Sequence, residues 1–416
     1  MSRFVQSNES GVSAREIAMF LDLIRRRNPR LIEAAIALHQ SGELPANTYV
    51  IDLDTVENNA RAISAKADSL GLTVMAMTKQ MGRNESFCRA VMRGGIKRSV
   101  AVDLECALAT KRAGMELGHV GHLVQIPKWE ADSAARLSPT WWTVFNGEKA
   151  AEAAAASGRL GREQPFLARI RGENDQFYRG HEGGFSASEI VAVAAALDKL
   201  PGGRFAGMAT FPALLFNAAS RTVRPTPNLE TLRRASETLA RFGYKGIEIN
   251  APGTTSSVTL EALAEAGATQ VEPGHGLTGT TPLHVSDDLP EAPAVVYLTE
   301  VSHLSGGEAF CFGGGLYIDP VFPNYQVKAI VAREPRTDAA ALRAVEIPPP
   351  DAIDYYGMID AAGPTKPEPG DSVVFGFRPQ AFVTRTFVAG VSGLSTEKPV
   401  VESISHSSGA KAHWSR

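Results

Sequence analysis

The chain has 416 residues, of which 44% are hydrophobic and 21% are charged, a composition typical of folded domains and unlike that of disordered chains. Its formal charge of −3 argues against nucleic acid as the main partner, because binding a phosphate backbone needs a strongly basic surface. Its three cysteines form no CxxC pair, which excludes a disulfide framework and a thiolate zinc cluster.

The first 46 residues are predicted to form a helical segment. Apolar residues recur at helical spacing over 13–41, from Ile17 to Ile36, and the Asn28-Pro29 pair interrupts them, so we expect two helices. We find no export signal here, and the longest apolar run of the chain, 190–197, is too short to cross a membrane. We therefore expect a cytoplasmic protein without a membrane partner.

The middle of the chain, 47–282, is predicted to form a parallel barrel. Short β-branched runs alternate there with Ala- and Leu-rich stretches, which is typical of repeated βα units. The β-branched runs lie near 48–53, 73–78, 98–102, 120–125, 141–145, 165–170, 205–210, 246–250 and 269–272. The helical stretches lie at 55–70, 84–94, 104–113, 147–157, 187–199, 228–242 and 257–267. Since a (β/α)8 or TIM barrel closes with eight strands, we assign the last eight runs to it and expect 48–53 to pair with the next domain.

Residues 283–395 are predicted to form an all-β C-terminal domain. Pro- and Gly-rich short runs replace the βα alternation after Pro282, and the expected strands are 295–301, 308–312, 327–332, 372–377 and 381–388. The last segment, 396–416, shows no periodicity, and we expect it to be a tail without regular structure. The predicted fold is therefore α/β, with an N-terminal helical segment, a TIM barrel and an all-β C-terminal domain.

Lys79 is the first candidate for a reactive residue. The functional groups of TIM barrels lie at the carboxyl ends of the strands, and the first predicted barrel strand ends at Lys79. A lysine that closes a buried apolar strand is desolvated, which favours the neutral amine, and such an amine can form a Schiff base with a carbonyl compound. From this strand alone, a lysine whose ammonium group reaches the solvent is an equally good interpretation.

Two Gly-rich loops favour the reactive lysine. The seventh barrel run is followed by Gly253, Thr254 and Thr255, and the eighth by Gly274, His275 and Gly276. Backbone N–H groups and small hydroxyls in such loops bind phosphate, and phosphate sites after strands seven and eight recur in TIM barrels. Either loop alone is also explained as an ordinary turn. A lysine after strand one that faces both loops is a more specific pattern.

The stretch TYVIDLDTVENNARAI, followed by the strand that ends in Lys79, resembles the opening of the alanine-racemase-like family. The members of this family are the fold type III pyridoxal-phosphate (PLP) enzymes, and the resemblance is greatest to its YhfX-type branch. The resemblance covers roughly residues 45–390 and is thin in the β domain. It implies that the chain binds PLP and that Lys79 is the Schiff-base lysine. It also implies that the two Gly-rich loops hold the phosphate, with Arg83 close to where alanine racemases have a phosphate-binding tyrosine.

Two residues depart from the family pattern. Glu272 stands where alanine racemase has an arginine beside the pyridine nitrogen, and a carboxylate there favours a protonated ring and a stronger electron sink. The alternative for Glu272 is a carboxylate that forms a salt bridge at the barrel rim. Phe211 stands where the family has a histidine, so we expect an apolar contact with the cofactor ring.

The resemblance implies a PLP-dependent racemase or epimerase that acts on a small amino acid and forms a homodimer. Lys79 would serve one face of the substrate, and we expect Tyr317 to serve the other, with Tyr355 and Tyr356 as alternates. The loop that positions substrate in the family is similar to ARIRGENDQFYRGHEGGF, whose polar candidates are Arg169, Arg171, Tyr178, Arg179 and His181.

Three other functions stay open at this point: a PLP-dependent D-amino-acid dehydratase or aldolase-type lyase, a non-catalytic PLP-binding protein, and a cofactor-free TIM-barrel enzyme. Lyase relatives hold a metal through a histidine and a cysteine or aspartate of the β domain. The corresponding segment, GDSVVFGFRPQAFVTR, contains no histidine or cysteine. We therefore expect no catalytic metal.

Overall fold

The computed structural model describes residues 19–317, 320–322, 325–363 and 365–414. Its N-terminal helices are α1 (Phe20–Arg27) and α2 (Pro29–Gln40). Pro29 begins α2, a position where a missing backbone N–H is tolerated, so the Asn28-Pro29 pair separates the two helices as predicted. The part of the predicted helical stretch that holds Ile17 lies outside the described residues.

Eight parallel strands close into a barrel, which confirms the predicted fold class. Up to residue 271 the strands are β1 (Thr48–Asp52), β2 (Thr73–Met77), β3 (Arg98–Ala101), β4 (Glu116–Val120), β5 (Trp141–Val144), β6 (Gln164–Arg171), β7 (Phe185–Ser186), β8 (Gly203–Ala209), β9 (Leu214–Asn217), β10 (Thr222–Pro225), β11 (Glu248–Asn250) and β12 (Gln270–Val271). The barrel order is β2, β3, β4, β5, β6, β8, β11 and β12, and β12 pairs again with β2. Strands β9 and β10 form a separate antiparallel pair.

Helices connect the barrel strands. They are α3 (Leu53–Ser69), α4 (Glu85–Arg93), α5 (Leu104–Arg112), α6 (Ala131–Arg136), α7 (Gly147–Gly158), α8 (Ile190–Asp198), α9 (Pro227–Arg241) and α10 (Leu260–Glu265). Several begin at a polar side chain that accepts a backbone N–H of the first turn; these residues are Asp52, Asn84, Asp103 and Asn146. The helices follow the predicted stretches, except that the short α6 was not predicted.

The third barrel strand lies earlier in the chain than predicted. The expected strand 120–125 is wrong, because β4 ends at Val120 and the chain then turns at Gly121, whose φ is 76°. A positive φ at Gly121, and again at Leu123, is incompatible with a continuing strand. The apolar residues that follow β4 therefore belong to a loop, and His119 belongs to the strand.

The C-terminal domain is built on one nine-stranded sheet. Its strands after the barrel are β13 (Val295–Ser305), β14 (Glu308–Phe312), β15 (Lys328–Ala332), β16 (Leu342–Glu346), β17 (Tyr356–Asp360), β18 (Ser372–Phe375), β19 (Phe387–Ser392) and β20 (Val400–His406). Strand β1 lies inside this sheet, antiparallel to β13 and parallel to β19. The first strand of the βα region therefore belongs to the C-terminal sheet rather than to the barrel.

Two predictions for the last part of the chain are wrong. The expected strand 381–388 is a short 3-10 turn (Ala381–Val383) followed by β19, which begins only at Phe387. The expected unstructured tail 396–416 contains β20, which pairs antiparallel with β19. Strand β20 has only three apolar residues, Val400, Val401 and Ile404, and none of them is fully buried, so its sequence shows neither an apolar run nor a strict alternation.

One continuous hydrophobic cluster joins the barrel to one face of the C-terminal sheet, and it includes Met77 of β2 and Tyr297 of β13. A second cluster packs α1 and α2 on the other face, through residues such as Ile24 and Ile32. The sheet is therefore held against the carboxyl ends of the barrel strands. Among the described residues, no helix is long and apolar enough to cross a membrane.

Candidate active site

A cleft of about 270 Å³ lies between the carboxyl ends of the barrel strands and the C-terminal domain. Most of the residues predicted for the site line it: Lys79, Phe211, Gly253, Thr254, Thr255, Glu272, Gly274, His275 and Tyr317. Arg83 and Gly276 do not line it. The fold thus brings together residues that follow the first, sixth, seventh and eighth barrel strands and a residue of the C-terminal domain.

Lys79 follows β2 and begins a short 3-10 turn (Lys79–Met81). Its Nζ lies 4.6 Å from the centre of the Phe382 ring, which the C-terminal domain contributes. Burial lowers the pKa of Lys79, and the guanidinium groups of Arg83 and Arg378 act in the same direction. The nucleophilic amine is therefore more populated than in an exposed lysine.

Arg83, predicted to lie near the phosphate, makes other contacts. Its guanidinium lies 3.4 Å from the carboxylate of Asp103, and Nη1 donates to the carbonyl of Ser407 at 3.4 Å. The guanidinium carbon lies 5.7 Å from the centre of the Phe382 ring. Arg83 therefore connects the barrel to the C-terminal segment, outside the cleft.

The two Gly-rich loops touch each other beside the cleft. A Cβ added at Gly276 would lie 2.5 Å from the carbonyl oxygen of Thr255, so only glycine fits this approach. The backbone N–H groups of Thr255 and His275, which both line the cleft, have no hydrogen-bond acceptor among the described residues. The N–H of Thr254, in contrast, donates to the carbonyl of Leu214 at 3.1 Å. Two unpaired donors in one concave turn region suit an anion.

Glu272 lies at the carboxyl end of β12, with a 4% exposed fraction. Its Oε1 lies 2.6 Å from His119 Nδ1 and 2.8 Å from Asn250 Nδ2, whereas Oε2 has no hydrogen-bond partner among the described residues. Burial raises the pKa of Glu272, but the imidazoles of His122 and His119 and the amide of Asn250 outweigh it and hold the pKa below its usual range. Glu272 is therefore a carboxylate buried inside the barrel, not at its rim, and its Oε2 makes no hydrogen bond among the described residues.

Sequence reasoning missed the two histidines beside Glu272. His119 is the fourth residue of β4, and His122 follows the strand and lines the cleft, with Nε2 3.4 Å from Glu272 Oε2. Burial lowers the pKa of His122 to about 3. The signal is the motif GHVGH at 118–122, because the expected strand 120–125 leaves His119 before the strand and puts His122 inside it, so neither histidine falls at a strand end.

These three groups, His119, His122 and Glu272, have potential ligand atoms within 4.8 Å of one another. They belong to the barrel and not to the segment GDSVVFGFRPQAFVTR of the C-terminal domain, where the family resemblance led us to look for a metal site. The expected absence of a catalytic metal stays a prediction.

Aromatic rings form one wall of the cleft around Phe211. The ring centres of His122, Tyr178 and His181 lie 5.9, 5.8 and 6.1 Å from that of Phe211. Of the predicted substrate-loop residues, Tyr178 and His181 line the cleft, while Arg171 and Arg179 are exposed and do not. Arg169 is buried behind the wall.

Arg169 supports this wall from β6. Its Nη2 donates to the carbonyl of Phe211 at 2.9 Å, and its guanidinium carbon lies 5.4 Å from the centre of the Phe145 ring. Arg169 is therefore a structural contact of Phe211 rather than a cleft residue.

Tyr317 reaches the cleft from the C-terminal domain of the same chain, half-buried. The alternates Tyr355 and Tyr356 are exposed on another face of that domain and do not line the cleft. Two further residues of this domain that sequence reasoning did not single out, Arg378 and Gln380, also line it. Gln380 Nε2 lies 3.3 Å from His275 Nε2, which connects the domain to the second Gly-rich loop.

Comparison with known proteins agrees with this architecture. Residues 51–282 match the family model of the alanine racemase N-terminal domain, and residues 296–401 match that of the YhfX-like C-terminal domain. The uncharacterized protein YhfX of Escherichia coli K12 is 36% identical over 396 residues, which cover 94% of this chain and 100% of YhfX.

Solved structures of three relatives share the fold. D-threonine aldolase from Filomicrobium marinum has a TM-score of 0.64 at 15% identity, over 88% of this chain and 96% of its own. D-threo-3-hydroxyaspartate dehydratase from Delftia sp. HT23 has a TM-score of 0.62 at 16% identity, over 87% and 97%. Alanine racemase from Clostridium difficile 630 has a TM-score of 0.59 at 14% identity, over 88% and 99%.

Proposed function

The chain belongs to the family of the alanine racemase N-terminal domain and carries a YhfX-like C-terminal domain, and from this membership we propose that it is a PLP-dependent racemase or epimerase of a small amino acid. The observation that carries the proposal is that one cleft unites the amine of Lys79, an oxygen of Glu272 and two backbone donors, of which the oxygen and the donors make no hydrogen bond among the described residues. Bound there, PLP would withdraw electrons from the Cα of an amino acid and weaken the bonds to that carbon.

The residues present fit this cofactor at three points. Lys79 supplies the amine for the aldehyde, and the N–H groups of Thr255 and His275 supply donors for the phosphate. Glu272 Oε2, buried and without a hydrogen bond among the described residues, supplies an acceptor for a protonated pyridine nitrogen. Phe211 lines the cleft as an apolar ring contact.

Racemisation needs one acid-base group on each face of the substrate. Lys79 serves the first face, since burial lowers its pKa and leaves more of it as the proton-accepting amine. Tyr317 serves the second face, because it is the one of the three tyrosines considered for this role, Tyr317, Tyr355 and Tyr356, that lines the cleft.

Borohydride reduction in the presence of PLP tests the role of Lys79. We expect covalent cofactor on the wild-type protein and on the control Lys111→Ala, which removes an exposed lysine of α5, and none on Lys79→Ala. Circular dichroism should show that both variants fold. Covalent cofactor retained by Lys79→Ala would overturn the assignment.

A lyase is the second candidate function, favoured by the shared fold of the D-threonine aldolase and the hydroxyaspartate dehydratase. Incubation of D- and L-amino acids in deuterated water with PLP-loaded protein separates the candidates. A racemase yields the opposite enantiomer with deuterium at Cα, whereas a lyase yields an aldehyde or a keto acid. PLP binding without deuterium uptake from any amino acid would leave the non-catalytic function.

We also propose a homodimer, as the family resemblance implies. An exposed apolar patch on the C-terminal domain supports it, formed by Phe312, Ile353, Tyr355 and Tyr356. Light scattering should give twice the 44.3 kDa of the chain, and Tyr355→Glu should give the monomer. A wild-type monomer at micromolar concentration would refute this.

A further inference from the structure

A continuous chain of hydrogen bonds crosses the barrel interior behind the cleft. Thr143 Oγ1 lies 2.6 Å from His119 Nε2, and His119 Nδ1 lies 2.6 Å from Glu272 Oε1. The same oxygen of Glu272 accepts from Asn250 Nδ2 at 2.8 Å. Thr143, His119 and Asn250 are fully buried, so each of their polar hydrogens must find its acceptor inside the protein.

The hydroxyl of Thr143 selects one protonation form of His119. Thr143 Oγ1 has no other hydrogen-bond partner among the described residues, so its single proton is donated to His119 Nε2. Nε2 then carries no proton, and Nδ1 carries one and donates it to Glu272. A doubly protonated ring would leave the buried proton of Thr143 without an acceptor, which is unfavourable.

Glu272 keeps its negative charge under this arrangement. Its Oε1 accepts from two neutral donors, the Nδ1–H of His119 and the amide of Asn250. The other imidazole, His122, lies 3.4 Å from Oε2 and is also neutral near pH 7, because burial lowers its pKa to about 3. A buried carboxylate of this kind is stabilised most by a cationic N–H donor that reaches Oε2.

We propose that His119 is a positioning residue, held by Thr143 in its neutral Nδ1–H form, that presents Glu272 to the cleft as a carboxylate for a cationic N–H donor. This rests on the proposed function, in which the donor is the protonated ring nitrogen of PLP. A metal ion in the same place is disfavoured because both nitrogens of His119 are already used in hydrogen bonds of 2.6 Å. A metal at Nδ1 would have to displace the bond to Glu272.

NMR of the cofactor-free protein labelled with 15N-histidine tests the form of His119 directly. Long-range 1H–15N spectra distinguish the Nδ1–H, Nε2–H and doubly protonated rings, and His119→Asn identifies the signals by their loss. We expect the Nδ1–H form near neutral pH. An Nε2–H ring, a doubly protonated ring, or a stoichiometric metal that His119→Asn removes would each overturn the proposal.

PLP titration of two variants tests the positioning role. Thr143→Val keeps the side-chain shape but removes the hydroxyl, and we expect it to bind PLP about tenfold more weakly. Thr143→Ser keeps the hydroxyl and should stay within about twofold of the wild-type affinity. In the NMR spectra, Thr143→Val should also lose the pure Nδ1–H signature of His119, which a purely structural role would not cause.

The outcomes separate this inference from the proposed function. If Thr143→Val binds PLP like the wild-type protein and keeps the same NMR signature, the positioning role is wrong, whereas borohydride labelling of Lys79 would still support the function. If the wild-type protein binds no PLP, the proposed function fails, and the NMR spectra alone decide the form of His119.

Discussion

Gly276→Ala tests the contact between the two Gly-rich loops that are proposed to hold the phosphate. The new Cβ would lie 2.5 Å from the carbonyl oxygen of Thr255 and 3.3 Å from Cδ1 of Ile63. Because carbon and oxygen atoms approach to only about 3.3 Å in favourable contacts, the loops must separate by about 0.8 Å. We expect the loops to take up this separation, which would move apart the backbone donors proposed for the phosphate.

The expected loss of affinity follows from the cost of overpacking. Inserting a methyl group into a close-packed contact costs about 1–3 kcal/mol, which corresponds to a dissociation constant for PLP that is about 5- to 150-fold higher. Absorbance titration of the cofactor-free protein with PLP measures it. The control is Gly147→Ala at the first residue of α7, where an added Cβ meets no atom within 4 Å. Wild-type affinity in Gly276→Ala would refute the reasoning, as would an equal loss in the control.

Three further predictions follow from the cleft and from His284, a buried histidine of the 3-10 turn Pro282–Val285. Tyr317→Phe should abolish deuterium uptake at the Cα of one enantiomer of the substrate, whereas the other enantiomer should still take up deuterium, because Lys79 still serves its own face. Equal residual uptake by both enantiomers would exclude Tyr317 as the second acid-base group. Phe382→Leu should expose Lys79 and raise its pKa, because burial is the main cause of the lowered pKa. The pH midpoint of borohydride-trapped labelling by pyridoxal should therefore move upward, and an unchanged midpoint would contradict this. Burial lowers the pKa of His284 in the folded protein to about 3, from 6.5 in the unfolded chain. Between these two pH values the unfolded state binds more protons than the folded state, so the free energy of unfolding should fall as the pH drops from 6.5 toward 3. His284→Gln should reduce that slope in urea unfolding by up to about 1.4 kcal/mol per pH unit, and an equal reduction in the exposed His303→Gln would argue against the assignment.

The misplaced third strand shows where local pattern fails. The apolar residues after Val120 satisfy a strand pattern as well as those of β4 do, but Gly121 and Leu123 adopt positive φ. The chain turns at this point because the loop packs against the neighbouring barrel strand β5. A Cβ added at Gly121 would lie 2.4 Å from the backbone carbonyl oxygen of Thr143 in that strand. The two histidines beside Glu272 were missed for the same reason.

The amino-acid sequence by itself determined the fold class, the order of the domains, Lys79 at the end of the first barrel strand and the two Gly-rich loops. These are local features, because strand and helix periods and glycine positions are written in neighbouring residues. Only the tertiary structure decided the surroundings of Glu272, since His119 reaches it across the barrel from 153 positions away in the chain. It also decided that Tyr317 and not Tyr355 lines the cleft, because that choice depends on how the C-terminal sheet lies against the barrel and not on any pattern around either tyrosine.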